Sequence, residues 1–73
     1  MQPLRRRIPV LSDREQEIVE LVTRGLSTGQ IAEVASITQN TVKQHLKRIF
    51  GKLGVHSRTE LVAVASGRDE DGA

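Results

Sequence analysis

Residues Thr38 to Gly54, TQNTVKQHLKRIFGKLG, constrain this chain more than any other stretch. Read as a helix that starts after Thr38, the stretch places Val42, Leu46, Ile49, Phe50 and Leu53 at i, i+4, i+7, i+8 and i+11. At about 100° per residue, that spacing gathers them on one stripe. The opposite side holds Asn40, Gln44, Lys47 and Arg48, with Lys43 on one shoulder and His45 and Lys52 on the other. One side is apolar; the other is basic, amide-bearing and free of acids. Such a helix fits the major groove of B-DNA, where Lys, Asn and Gln can reach base edges. A solvated surface helix carrying a few lysines is the plainer alternative, and this stretch alone does not separate the two.

The neighbouring segments add helices around it. Ser12 to Glu15 (SDRE) has the spacing of a capping box, in which Ser12 bonds the backbone of Glu15 and Glu15 reaches back. Leu11 precedes it as a candidate hydrophobic staple. Ile18, Leu21 and Val22 then form an i, i+3, i+4 stripe with Val19 beside it, and Gly25 stands where a left-handed C-terminal cap belongs. Ser27 to Gln30 (STGQ) is a second box, followed by an inner face of Ile31, Ala32 and Ala35. Ser36-Ile37 reads as a tight turn, Thr38 as the next cap and Gly54 as its stop. Lys52 in the last turn suits the negative end of that helix's dipole. Ser57 to Glu60 (SRTE) is a third box, opening a helix with Leu61, Val62 and Ala65 inside and Gly67 at its end. Expected helices are therefore about 12–24, 28–35, 39–53 and 58–66, an all-α fold with no strand pattern. Two short helices joined by a turn, the second basic on its outer side, make a helix-turn-helix.

Size and charge narrow the function. Seventy-three residues make one domain, which buries only about 60% of its unfolded surface. No cysteine is present, and His45 and His56 lack partners at ligand spacing, so neither a metal nor any other cofactor is expected. No apolar run approaches the length of a membrane span, and a cytoplasmic, nucleoid-associated protein is the expectation. Phe50 is the only aromatic, too little for stacking single-stranded nucleic acid. No Ser–His–acid set, paired carboxylates or glycine-rich phosphate loop is visible, so an enzyme is not expected. From Thr38 to Arg58 there are five Lys/Arg and no acid, whereas Ser12 to Arg24 holds four acids against two arginines. The basic half should meet phosphate and the acidic half face away from it. Residues 1–10 (MQPLRRRIPV) read as a disordered linker or, alternatively, a basic arm along DNA. Residues 11–67 form the domain, and 68–73 (RDEDGA) a disordered acidic tail.

With the segments placed, Leu11-Ser-Asp-Arg-Glu, Gly25-Leu-Ser, Ile31-Ala, Thr41-Val-Lys-Gln-His, Lys52-Leu-Gly-Val and Ser57-Arg resemble the LuxR-type helix-turn-helix domain, also called the GerE or FixJ type. The match runs from about Leu11 to Ala65. The resemblance implies a DNA-binding output module of a bacterial transcription regulator, usually C-terminal to a receiver or ligand-sensing domain. It implies that the third helix enters the major groove and that the fourth pairs two protomers on DNA, around Val64 and Ala63. By position it implies base contacts from Lys43, Gln44 and Lys47, to which the helix-start residue Asn40 is added. Backbone contacts are expected from Thr28, Thr38, Thr41, His45, Arg48, Lys52, Ser57 and Arg58. For His45, a half-buried ring bonded to a neighbouring carbonyl is an equal alternative. Three positions depart from the family pattern: Ser36 replaces a turn glycine, Ala35 a larger aliphatic, and Gly29 a residue that often helps hold phosphate. The rival function is a protein-interaction module contacting a receiver domain or RNA polymerase through the first and fourth helices.

Overall fold

A computed structural model describes residues 8–66. It contains four helices, α1 (Asp13–Thr23), α2 (Thr28–Ala35), α3 (Gln39–Leu53) and α4 (Arg58–Ser66). No strand occurs among the described residues. The expected boundaries hold, apart from one residue at each end of α1, where Ser12 and Arg24 serve as caps. The expected tail at 68–73, the Gly67 stop and most of the expected arm lie outside the described residues.

The starts of the helices are set by short polar side chains. Ser12 Oγ accepts the Glu15 N–H at 3.1 Å, and Glu15 Oε1 accepts the Ser12 N–H at 3.0 Å. The same reciprocal pair joins Ser27 and Gln30 at 3.2 and 2.8 Å. Thr38 Oγ1 accepts the Thr41 N–H at 3.1 Å. The third expected box is only half made. Ser57 Oγ accepts the Glu60 N–H, but Glu60 Oε1 reaches one residue further back and accepts the His56 N–H at 2.6 Å. Each of these bonds satisfies a donor that the first turn of a helix leaves open.

The ends are set by left-handed residues. Gly25 (φ +88°) and Gly54 (φ +67°) adopt that conformation at no steric cost. Ser36 adopts it too, at φ 59°, while its N–H donates to Glu33 O and the next N–H, of Ile37, donates to Ala32 O at 3.0 Å. These two bonds close α2 and force an L-residue into a region it avoids. No bond from the Ser36 hydroxyl offsets that geometry among the described residues. Ser36→Gly is therefore expected to raise folding stability by about 1 kcal/mol, read as a higher denaturant midpoint at unchanged slope.

The core draws on all four helices. Ile18, Ile31, Val42, Ile49 and Leu61 are fully buried, with Leu11, Val19, Val22, Ala35, Val55 and Ala65 around them. Helix α1 packs against each of the other three, and α2 packs against α3. The packed unit extends further toward the N-terminus than the sequence suggests. Ile8, expected in a linker, is buried, and its N–H donates to Gln16 Oε1 at 3.0 Å. Its carbonyl accepts the Leu11 N–H at 3.0 Å. Leu11 is buried as a staple residue would be, but the staple's usual apolar partner four residues into the helix is Gln16. That amide is itself almost inaccessible, and its bond to Ile8 helps make its burial tolerable.

Candidate nucleic-acid interface

Helix α3 is held down by Val42 and Ile49, both with no exposed surface, so its far side must face outward. Asn40, Lys43, Gln44, Lys47 and Arg48 are all exposed. Gln44 and Lys47, whose coverage by the chain would have ended any groove-reading role, lie open. No acid occurs on α3, and none of its exposed cations other than Lys52 is paired among the described residues. Leu46, Phe50 and Leu53 continue the apolar stripe but are only half-buried, because the stripe is wider than the surface its neighbours cover.

Two other helix starts meet α3 on that half-covered side. The Arg58 guanidinium, at the start of α4, donates to Leu26 O at 3.0 Å and to Thr28 Oγ1 at 3.3 Å. It thereby ties α4 to the turn between α1 and α2. Thr28, Arg58, Lys43 and Lys47 surround an open groove of about 430 Å³ floored by Leu46 and Phe50. The start of α2 also lies close to the start of α3: a Cβ added at Gly29 would come within 3.3 Å of Gln39 Nε2. The absent side chain at Gly29 thus leaves room for the Gln39 amide.

Other expected site residues are placed differently. Thr38 and Thr41 share a hydroxyl–hydroxyl bond of 2.9 Å at the exposed start of α3, and Thr41 is half-buried. The Ser57 hydroxyl is exposed and occupied by the Glu60 N–H. His45 is half-buried, and its Nδ1 is enclosed with no hydrogen-bond partner, so the carbonyl bond considered from sequence is not made there. Lys52 is the clearest departure. Its ammonium donates to Glu15 Oε1 at 2.6 Å and lies 3.4 Å from Val10 O, away from the groove. In this structure the Lys52 charge is therefore engaged within the domain, unlike the other cations of α3.

The Glu15 carboxylate is covered by its neighbours, yet its pKa falls below the ordinary value of 4.5. The hydrogen bond from Lys52 is the main cause, followed by the one from the Ser12 backbone; burial opposes both but is outweighed. A carboxylate with a depressed pKa contributes stability at and above its unfolded pKa. That contribution fades as pH drops through the folded value. Lys52→Ala is expected to cost about 1–2 kcal/mol at neutral pH, less than a deeply buried pair because the ammonium is partly exposed. As pH falls from 4.5 through that lowered value, the variant and the parent should converge in urea titrations, since protonated Glu15 has no pair to lose.

The family model described as "Bacterial regulatory proteins, luxR family" matches residues 9–65. The chain belongs to the LuxR family. It is 41% identical over 58 residues to the Fimbriae Z protein of Escherichia coli, covering 80% of this chain and 28% of that protein. It is 47% identical over 53 residues to the putative HTH-type transcriptional regulator y4qH of Sinorhizobium fredii, covering 73% and 16%. It is 43% identical over 56 residues to the response regulator protein VraR of Staphylococcus aureus, covering 77% and 27%. The LuxR-type chain therefore spans less than a third of the length of each of these relatives. As a LuxR-type helix-turn-helix it is a DNA-binding domain of transcription regulation, a regulatory family rather than an enzyme family. No helix among the described residues is long and apolar enough to cross a membrane, and these residues contain no cluster of three metal-ligating side chains.

The Leu46–Phe50 floor and the Lys52–Glu15 pair were not visible in the sequence as features of this surface. A hint of the floor existed: five apolar residues on α3 exceed what a fifteen-residue helix needs for one narrow contact. Nothing in the spacing of residues 37 apart signalled the ion pair.

Proposed function

We propose that this domain binds double-stranded DNA sequence-specifically as part of a bacterial transcription regulator, with α3 in the major groove. The observation that carries the reading is the open, acid-free face of α3, on which Asn40, Lys43, Gln44 and Lys47 stand together. Lys43 and Lys47 donate to guanine O6 or N7, and Gln44 makes the two-bond contact to adenine. Asn40, at the helix start, reaches a base or the adjoining phosphate. Arg48, Arg58, Thr28, Thr38, Thr41 and Ser57 position the domain on the backbone. For His45, Nδ1 is enclosed and without a partner, which leaves Nε2 as the ring nitrogen able to reach a phosphate.

One helix reads only a few base pairs, so two copies on half-sites about 10 base pairs apart would supply useful affinity. The half-buried Ala63 and Val64 on α4 are the face proposed for pairing two protomers. All three relatives are more than three times as long as the stretch they share with this domain, and one of them, VraR, is a response regulator by name, which supports an upstream receiver or sensing domain as a partner. RNA polymerase is a further proposed partner.

Selection of bound duplexes from a random pool, followed by anisotropy titration of the winner against a scrambled duplex, tests the reading. Enrichment of a motif of paired half-sites is expected. Binding that is equal for every sequence would refute it. In the same titrations Arg58→Ala should weaken binding to matched and scrambled duplex alike by about tenfold and flatten the salt slope by about one.

A further inference from the structure

The groove beside α3 has a composition that a purely DNA-facing surface does not require. Its floor is Leu46 and Phe50, the chain's one aromatic, and its rim carries three cations, Lys43, Lys47 and Arg58, with the Thr28 hydroxyl between the helix starts. No acid lines it, and its roughly 430 Å³ lie open to solvent on one side, so a ligand would be cradled and not enclosed. Phosphate recognition calls for the rim but not for the floor. An apolar floor under a cationic rim is complementary to a compact ligand with a flat or branched hydrocarbon body and one anionic head. Arg58 is pre-positioned for such a head. Two of its donors are fixed by Leu26 O and Thr28 Oγ1, which holds the planar guanidinium in place without neutralising it.

We propose that this groove binds small amphipathic anions of the aryl-carboxylate class, the ring against Leu46 and Phe50 and the carboxylate against Lys43, Lys47 and Arg58. Because Lys43 and Lys47 are also the proposed base readers, an occupied groove excludes DNA from α3. This last consequence rests on the DNA-binding reading above; the binding of the anion itself does not.

The test uses the full 73-residue chain, 2-naphthoate as probe, and amide and methyl chemical shifts as readout. Naphthoate should shift Leu46, Phe50, Lys47 and Arg58 together, with a dissociation constant on the order of 1 mM. The uncharged 2-naphthalenemethanol should bind at least tenfold more weakly. Sodium sulfate at equal ionic strength should leave the Leu46 methyls and the Phe50 ring unmoved. Lys47→Gln, an exposed substitution that leaves the core intact, should weaken naphthoate severalfold. Equal binding of acid and alcohol, sulfate reproducing the naphthoate pattern, or shifts scattered over the other helices would each overturn the proposal. A separate anisotropy competition distinguishes the two readings. Naphthoate near saturation should raise the apparent duplex dissociation constant severalfold. Naphthoate binding with no duplex binding at all would sink the DNA reading alone, and duplex binding with no naphthoate shifts would sink the groove alone.

Discussion

Ile49→Ala is expected to remove about 3 kcal/mol of folding stability, the largest effect of any single truncation on α3. Ile49 has no exposed surface and sits in the middle of the helix, against the core shared by all four. Deleting its outer carbons forfeits their burial and leaves a void that the packed neighbours cannot close. A domain of this length has roughly 4–11 kcal/mol to lose in total. Urea denaturation should show a lower midpoint, and at 37 °C a sizeable unfolded population. DNA affinity should fall in proportion to that population, for matched and scrambled duplex equally, because the exposed face is untouched. A midpoint within a few tenths of a molar of the parent would mean that Ile49 does not hold α3 down.

Lys47→Ala makes the opposite separation. Lys47 is exposed at the centre of the basic face and contributes nothing to the core, so its truncation should leave the denaturation midpoint unchanged. On the selected duplex, loss of one base-edge contact should cost about 1–3 kcal/mol, with choice relaxed at one base pair. On scrambled DNA only the phosphate share of the charge is lost, so the ratio of the two affinities should shrink. Equal losses on both duplexes would reassign Lys47 to the backbone and leave Lys43 and Gln44 as the readers to test.

The contrast between these residues reflects what was legible in the sequence itself. Helix positions were, because each start carries its own chemical mark in Ser12, Ser27, Thr38 and Ser57, and two of the ends carry a glycine. Such marks act within four residues, so a linear reading captures them. The outward direction of Gln44 and Lys47 was legible for a similar reason: Val42 and Ile49 fix which side of one helix is inside. What could not be read were the features that depend on where a second segment lands. Lys52 had a satisfactory local explanation as a dipole partner, and nothing nearby in the chain pointed to Glu15. Glu15 likewise had a complete role in its capping box before the ion pair was known. Leu46 and Phe50 belonged to the apolar stripe, but how much of a stripe is covered depends on the length and tilt of the helices across from it. Ile8 was assigned to a linker because prolines and arginines surround it; its single buried side chain and one amide bond were too small a signal.

The stitching at Ile8 has a consequence for how force or motion would enter the domain. The incoming strand is fastened twice, by the Ile8 N–H to Gln16 inside α1 and, two residues later, by the contact of Val10 O with the Lys52 ammonium at the far end of α3. A pull arriving at Ile8 would therefore be borne first by its bond to Gln16 and then, through Val10, by the last turn of α3.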